Sequence, residues 1–133
     1  MRAEQVIKTL LMADSGIAAL VAARIYPSRM PQNTLMPAMA YEYISGNELN
    51  PISATAGQQI IQSRMQINCL AKTYAEVKSA QEAVRLACLY KSGLIAGVRV
   101  LSITRAGIGG DGHDDALALY MQSVDYIVTH YES

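Results

Sequence analysis

Residues 105–115, "RAGIGGDGHDD", hold the two sets of residues in this chain best suited to chemistry: glycines that let backbone close on a phosphate, and His and Asp side chains that can hold a metal. Gly107-x-Gly109-x-x-Gly112 has the spacing of a dinucleotide-binding turn. In such a turn the free amides at a helix N-terminus hold a pyrophosphate, and an acidic residue about 20 positions on holds the ribose. The chemistry needs a strand before the glycines and a helix after them. The strand is present in "GVRVLSITRA". After Gly112, however, "ALALYMQSVDYIVTHY" alternates with period two and is rich in Tyr, Val and Ile. No parallel strand–helix–strand unit surrounds the glycines. The expectation is a mobile hairpin loop, with Gly and Asp supplying positive φ.

The alternative chemistry is a metal-dependent enzyme subunit using the Asp/His loop 111–115, with His130 as a distant ligand. His113 and His130 would lie at opposite ends of one long strand, roughly 55 Å apart at about 3.3 Å per residue. A solvated loop cluster suits that spacing better than a metal site. Nucleophilic catalysis has less support. No serine sits in a Gly-x-Ser-x-Gly elbow. Cys69 and Cys88 fall on apolar faces with no His nearby in sequence, and read as reduced, buried thiols. Asp125 interrupts an apolar strand. It either pairs with Arg64 or Arg99 or faces a partner chain, and an ion pair is preferred to a catalytic acid.

The elements that must position these residues follow from periodicity. The chain has 133 residues, enough for one domain, 1–133, with its own core. It is 51% hydrophobic, with eight Tyr and neither Phe nor Trp, so Leu, Ile, Val, Met and Ala must fill the interior. Eleven basic residues balance eleven acidic ones, which argues against a nucleic-acid binder. No run is apolar enough for a membrane span or a secretory leader, so a soluble, cytosolic product is expected.

Val6, Ile7, Leu10, Leu11, Ile17, Leu20 and Val21 form a helical stripe, with Asp14 placed to cap a second short helix. "RIYP" reads as a short strand. Three of the four prolines fall in residues 27–37, an extended loop. "AMAYEYIS" is a strand, residues 46–59 a long polar loop, and "IIQSRMQINCLA" an alternating strand. "TYAEVKSAQEAVRLACLYKSG" is the clearest helix. It has a Thr73/Glu76 capping box, Lys91 at its negative pole and Gly93 at the left-handed C′ position. In the next strand Val98, Val100, Ser102 and Thr104 alternate with Arg99, Leu101, Ile103 and Arg105. The fold class is therefore α+β: a mostly antiparallel sheet of about four strands, with two or three helices packed on one face.

What remains is surface. Tyr41, Tyr43, Tyr120 and Tyr126 lie on strands and suit an interface. A sheet of this size leaves edges that must be covered or paired with another chain. The ordered set "VIKTLLMADSGIAALVAARIYP", "MPQNTLMPAMAYEYIS", "SRMQINCLAKTYAEVKSAQEAVRLAC" and "LYMQSVDYIV", with Gln66 and Asp125 in place, resembles the tail completion, or tail-terminator, proteins of long-tailed bacteriophages and prophages.

The resemblance implies a small structural subunit without enzymatic activity or cofactor. It would form a ring of itself, commonly a hexamer, at the head-proximal end of the tail. Its partners would be the tail-tube protein and the head connector protein, with no membrane and no specific nucleic acid. It would be found in the host cytoplasm during assembly and in the virion tail thereafter. The two polar loops depart from the family pattern and are candidate assembly contacts. Asn47, Glu48, Asn50 and Gln58 lie in the first, and Arg105, Asp111, His113, Asp114 and Asp115 in the second.

Overall fold

A computed structural model describes residues 2–49 and 59–132. Helix α1 (Arg2–Ala13) and helix α2 (Ser15–Val21) are separated at Asp14, whose carboxylate accepts the Ile17 amide at 2.9 Å and starts the second helix. Strand β1 (Ile25–Pro27) follows, then β2 (Ala38–Leu49), β3 (Ile60–Ala71), helix α3 (Tyr74–Cys88), β4 (Gly93–Ile95), β5 (Val98–Ile108), β6 (Gly112–Asp114) and β7 (Leu119–Tyr131). The sheet order is β1-β2-β3-β7-β5-β4, with β6 also on β7.

The expected α+β class holds, and the strand count and direction need correction. Four long strands, β2, β3, β7 and β5, form an antiparallel centre. Three strands of three residues each add to it, making seven, and β1 pairs with β2 in parallel. β1 falls where "RIYP" reads as a short strand, while β4 and β6 are too short to carry a readable alternation. The core lies between the sheet and the helices. Val6, Ile7, Leu11, Ile17 and Val21 meet Val84, Cys88, Met65, Ile67, Cys69, Val124, Tyr126 and Val128 there. The Pro-rich segment is held to β1 by Arg24, whose Nε donates to the Pro37 carbonyl at 2.9 Å.

Three local expectations are overturned. Residues 46–49 are not loop but the end of β2, paired with Ile60–Ser63. This arm is exposed on both faces, so no hydrophobic period marks it. In β5, a bulge at Leu101 shifts the alternation by one residue. Val98, Val100 and Ile103 then share the buried face, instead of Val98, Val100, Ser102 and Thr104. Helix α3 ends at Cys88, so Lys91 lies beyond it, and the left-handed residue after it is Tyr90 (φ 61°). Gly93 instead opens β4. The capping box is as read: the Thr73 hydroxyl accepts the Glu76 amide at 3.3 Å and donates to the Glu76 carboxylate at 2.8 Å.

Candidate functional site: the two ends of the sheet

The glycine segment is part of a broken edge strand rather than a mobile hairpin loop. β3 occupies one side of β7 along its whole length, so β5 and β6 share the other side. Ile108 pairs with Val124, Gly109 donates to the Ser123 carbonyl at 2.7 Å, and Gly112 pairs with Met121. The line of β5 thus passes through the glycines into β6. The hairpin turn comes later, at 115–118, where Ala118 takes φ 54°.

None of the glycines in 107–112 has positive φ, contrary to expectation. Gly109 is required for another reason: a Cβ there would stand 2.6 Å from the Ser123 carbonyl oxygen. We expect Gly109→Ala to cost roughly 1–3 kcal/mol, because the obstacle is backbone and the ladder must shift. Gly110→Ala, which meets nothing within 4 Å, should leave the melting temperature nearly unchanged. Equal melting temperatures for the two variants would refute the close-approach explanation. Since β6 and not a helix follows Gly112, the segment offers no helix N-terminus to a phosphate.

Side chains fix the segment to α3. Asp111 accepts from Lys78 Nζ at 2.5 Å and from the Tyr74 hydroxyl at 2.9 Å. The Lys78 hydrogen bond, seconded by Tyr74, holds the Asp111 carboxyl below its ordinary range, and Asp111 in turn raises Lys78. Lys78 also donates to Gln122 Oε1 at 3.1 Å, and Gln122 Nε2 donates to the Gly109 carbonyl at 2.9 Å. His113, on β6, has its ring 4.6 Å from that of Tyr120, and its Nδ1 lies 2.7 Å from Asp115 Oδ1. Asp114 accepts the amides of Ala116 at 3.0 Å and Leu117 at 3.2 Å, which builds the turn. Arg105 is exposed on β5, opposite Tyr126. Each carboxylate is thus bound separately. Among the described residues no group of three or more His, Cys, Asp or Glu is placed to hold a metal.

The first loop's residues lie elsewhere. Asn47 and Glu48 stand on the β2 arm, opposite Gln62 and Ile61, and Gln59 Nε2 donates to Glu48 at 3.2 Å. Asn50 and Gln58 lie outside the described residues. The structure does not bring the two candidate sets together. Ile60 pairs with Tyr131 at one end of β3, and Ala71 pairs with Tyr120, hence next to His113, at the other. The twelve residues of β3 separate the two ends by roughly 35 Å at about 3.3 Å per step.

The sheet face away from the helices is polar. Arg64 Nε donates to Asp125 at 2.7 Å, Gln66 donates to the same carboxylate at 3.2 Å, and the Ser123 hydroxyl bonds Asn68. Asp125 therefore pairs with Arg64. Arg99, the other candidate, stacks 4.7 Å over the Tyr131 ring. The tyrosines divide. Tyr43 is exposed and Tyr120 half-buried, whereas Tyr41 and Tyr126 are core residues, against their reading as surface. On the helix-covered face, His130 is buried with Nε2 2.9 Å from Ser63 Oγ. Sequence reasoning had considered His130 only as a distant ligand.

No curated protein matches the chain. A chain from the virion of a native gene transfer agent particle shares its fold, with a TM-score of 0.70 and 16% identity over 95% of this chain and 92% of that one. No helix among the described residues is long and apolar enough to cross a membrane. The family model described as "Tail completion protein gp17" matches residues 5–130, and the chain therefore belongs to this family of phage tail structural proteins.

Proposed function

We propose that the protein caps the head-proximal end of the tail tube and joins it to the head connector, as a ring of identical subunits. The observation that carries this reading is the family match across nearly the whole chain. The geometry supplies a means. Of the candidate contacts, Asn47 and Glu48 lie towards one end of the sheet and residues 111–115 at the other, so a subunit standing with its strands along the tail axis would offer one end to the tube and the other to the connector. The end of β2 at Asn47 and Glu48 serves one joint, and residues 111–115 serve the other. No catalytic step is needed, since joining is done by shape and by polar contacts.

The test is sedimentation of the purified protein with and without isolated tail tubes. The expected result is co-sedimentation with tubes, in an amount that scales with tube ends and not with tube length. Replacing residues 50–58 by a short Gly-Ser link should leave a folded subunit that fails at one of the two joints. So should Asp111→Ala, which frees the second segment from α3. If heads and tails join normally with both changes, the two-ended docking idea is wrong.

A further inference from the structure

The four long strands leave the sheet open at both ends. At one end β1 covers β2 only through Tyr41, whose carbonyl accepts the Ser28 amide at 2.8 Å. The chain then turns away at Ser28 (φ 58°). From Glu42 to Leu49 no other described strand pairs with the outer side of β2, and residues 43–49 are exposed. At the other end β4 covers β5 through Val100, and the Tyr90 amide takes the Ile103 carbonyl at 2.8 Å. From Thr104 to Ile108 the outer side of β5 has no described partner, and Ile108 is 60% exposed. Unpaired edges of this length recruit another strand unless they are blocked. Neither stretch contains proline or lysine.

We infer that the free edge of β2 (42–49) takes the free edge of β5 (104–108) from a second copy of this chain, as an antiparallel intermolecular seam. Charge selects the partner. The free β2 edge carries Glu42 and Glu48 and no base, whereas the free β5 edge carries Arg105 and no acid. Two β2 edges would set like charges side by side, and so would two β5 edges. A β2–β5 seam sets opposite charges together, which disfavours the symmetric dimer and favours head-to-tail growth. Direction agrees as well. β2, β3, β7 and β5 alternate in direction. Rotation about an axis along the strands keeps each strand's direction, so β5 of one copy meets β2 of the next antiparallel. Both edges carry a bulge, at Ile44 and at Ala106. Bulges bend a strand and sharpen its twist, which is the curvature a sheet needs to close round an axis.

The seam rests on the ring reading proposed above, and the experiment separates the two. Single cysteines are walked along the exposed β2 edge at Glu42, Tyr43, Ile44, Ser45, Asn47, Glu48 and Leu49, each combined with Thr104→Cys. The native Cys69 and Cys88 are buried and stay out of the reaction. Each double variant is oxidised on tail tubes, while sedimentation reports the oligomer independently. The expected result is a ladder of disulfide-linked oligomers whose yield peaks at the one β2 position opposite Thr104 and falls away on both sides of it, and which is absent from either single variant. Oligomers that sediment as rings without any such cross-link would overturn the seam and leave the ring reading standing. Covalent dimers from a β2 cysteine alone would overturn the head-to-tail arrangement. Failure to oligomerise on tubes at all would overturn both.

Discussion

Raising the pH from 9 towards 12 should strip this protein of much of its stability, in a steep loss that two thiols dominate. Burial pushes Cys69 from 9.0 up to about 12. Burial does the same to Cys88, to about 12, with the Asp14 charge adding to the rise and Lys91 opposing it. Burial also raises the Tyr126 phenol above its usual 10.0. All three shifts are upward, so the folded chain holds these protons more tightly than the unfolded chain does. The stability they protect is complete below pH 9 and drains away as the pH climbs through the window to about 12. Each thiol contributes a slope of about 1.4 kcal/mol per pH unit, hence about 3 for the pair. Over the window that is about 8 kcal/mol, most of the roughly 5–15 kcal/mol such a domain has in hand. Denaturant titrations at pH 8, 9, 10 and 11 measure the slope. The Cys69→Ala/Cys88→Ala variant should start less stable at pH 8 and lose stability more slowly. An unchanged slope in the variant would remove the thiols as the cause.

The largest single-residue loss is expected from Tyr126→Ala. Tyr126 is 1% exposed, sits in the middle of β7 opposite Met65 and belongs to the central cluster under the helices. In a chain without Phe or Trp, few other side chains could fill the space its ring would leave. Truncation should cost about 3–5 kcal/mol, while Tyr126→Phe, which keeps the ring, should cost much less. Thermal melting of the two variants checks this. A Tyr126→Ala protein that melts within a few degrees of the parent would mean that the ring is not structural.

Features governed by local chemistry were legible in the sequence. The caps at Asp14 and Thr73, the alternation through Met65, Ile67 and Cys69, and the Arg64–Asp125 pair all rest on spacing that one element determines, or on charge that must be neutralised. What escaped depended on distant partners. The β2 arm is polar on both faces and is a strand only because β3 runs beside it. The bulge at Leu101 arises in the pairing with β7, and it moves Ile103 into the core against the simple alternation. Tyr41 and Tyr126 read as interface residues because tyrosine type does not reveal which side of a sheet will receive the helices. The glycines of 107–112 suggested freedom. Their role is nearly the reverse at Gly109, where the missing Cβ allows close contact with Ser123. The candidate contacts were chosen by residue type, and only the register of β3 with its neighbours places Asn47 and Glu48 towards one end of the sheet and residues 111–115 at the other.

The central claim concerns position in the particle, and direct labelling reads it. The protein carrying a small tag after Ser133 would be assembled into virions and located by gold-labelled antibody under the electron microscope. The account predicts label at the junction of head and tail, at one place per particle, and at the head-proximal tip of isolated tails. Label spread along the tube, gathered at the distal tip, or absent from finished particles would contradict it.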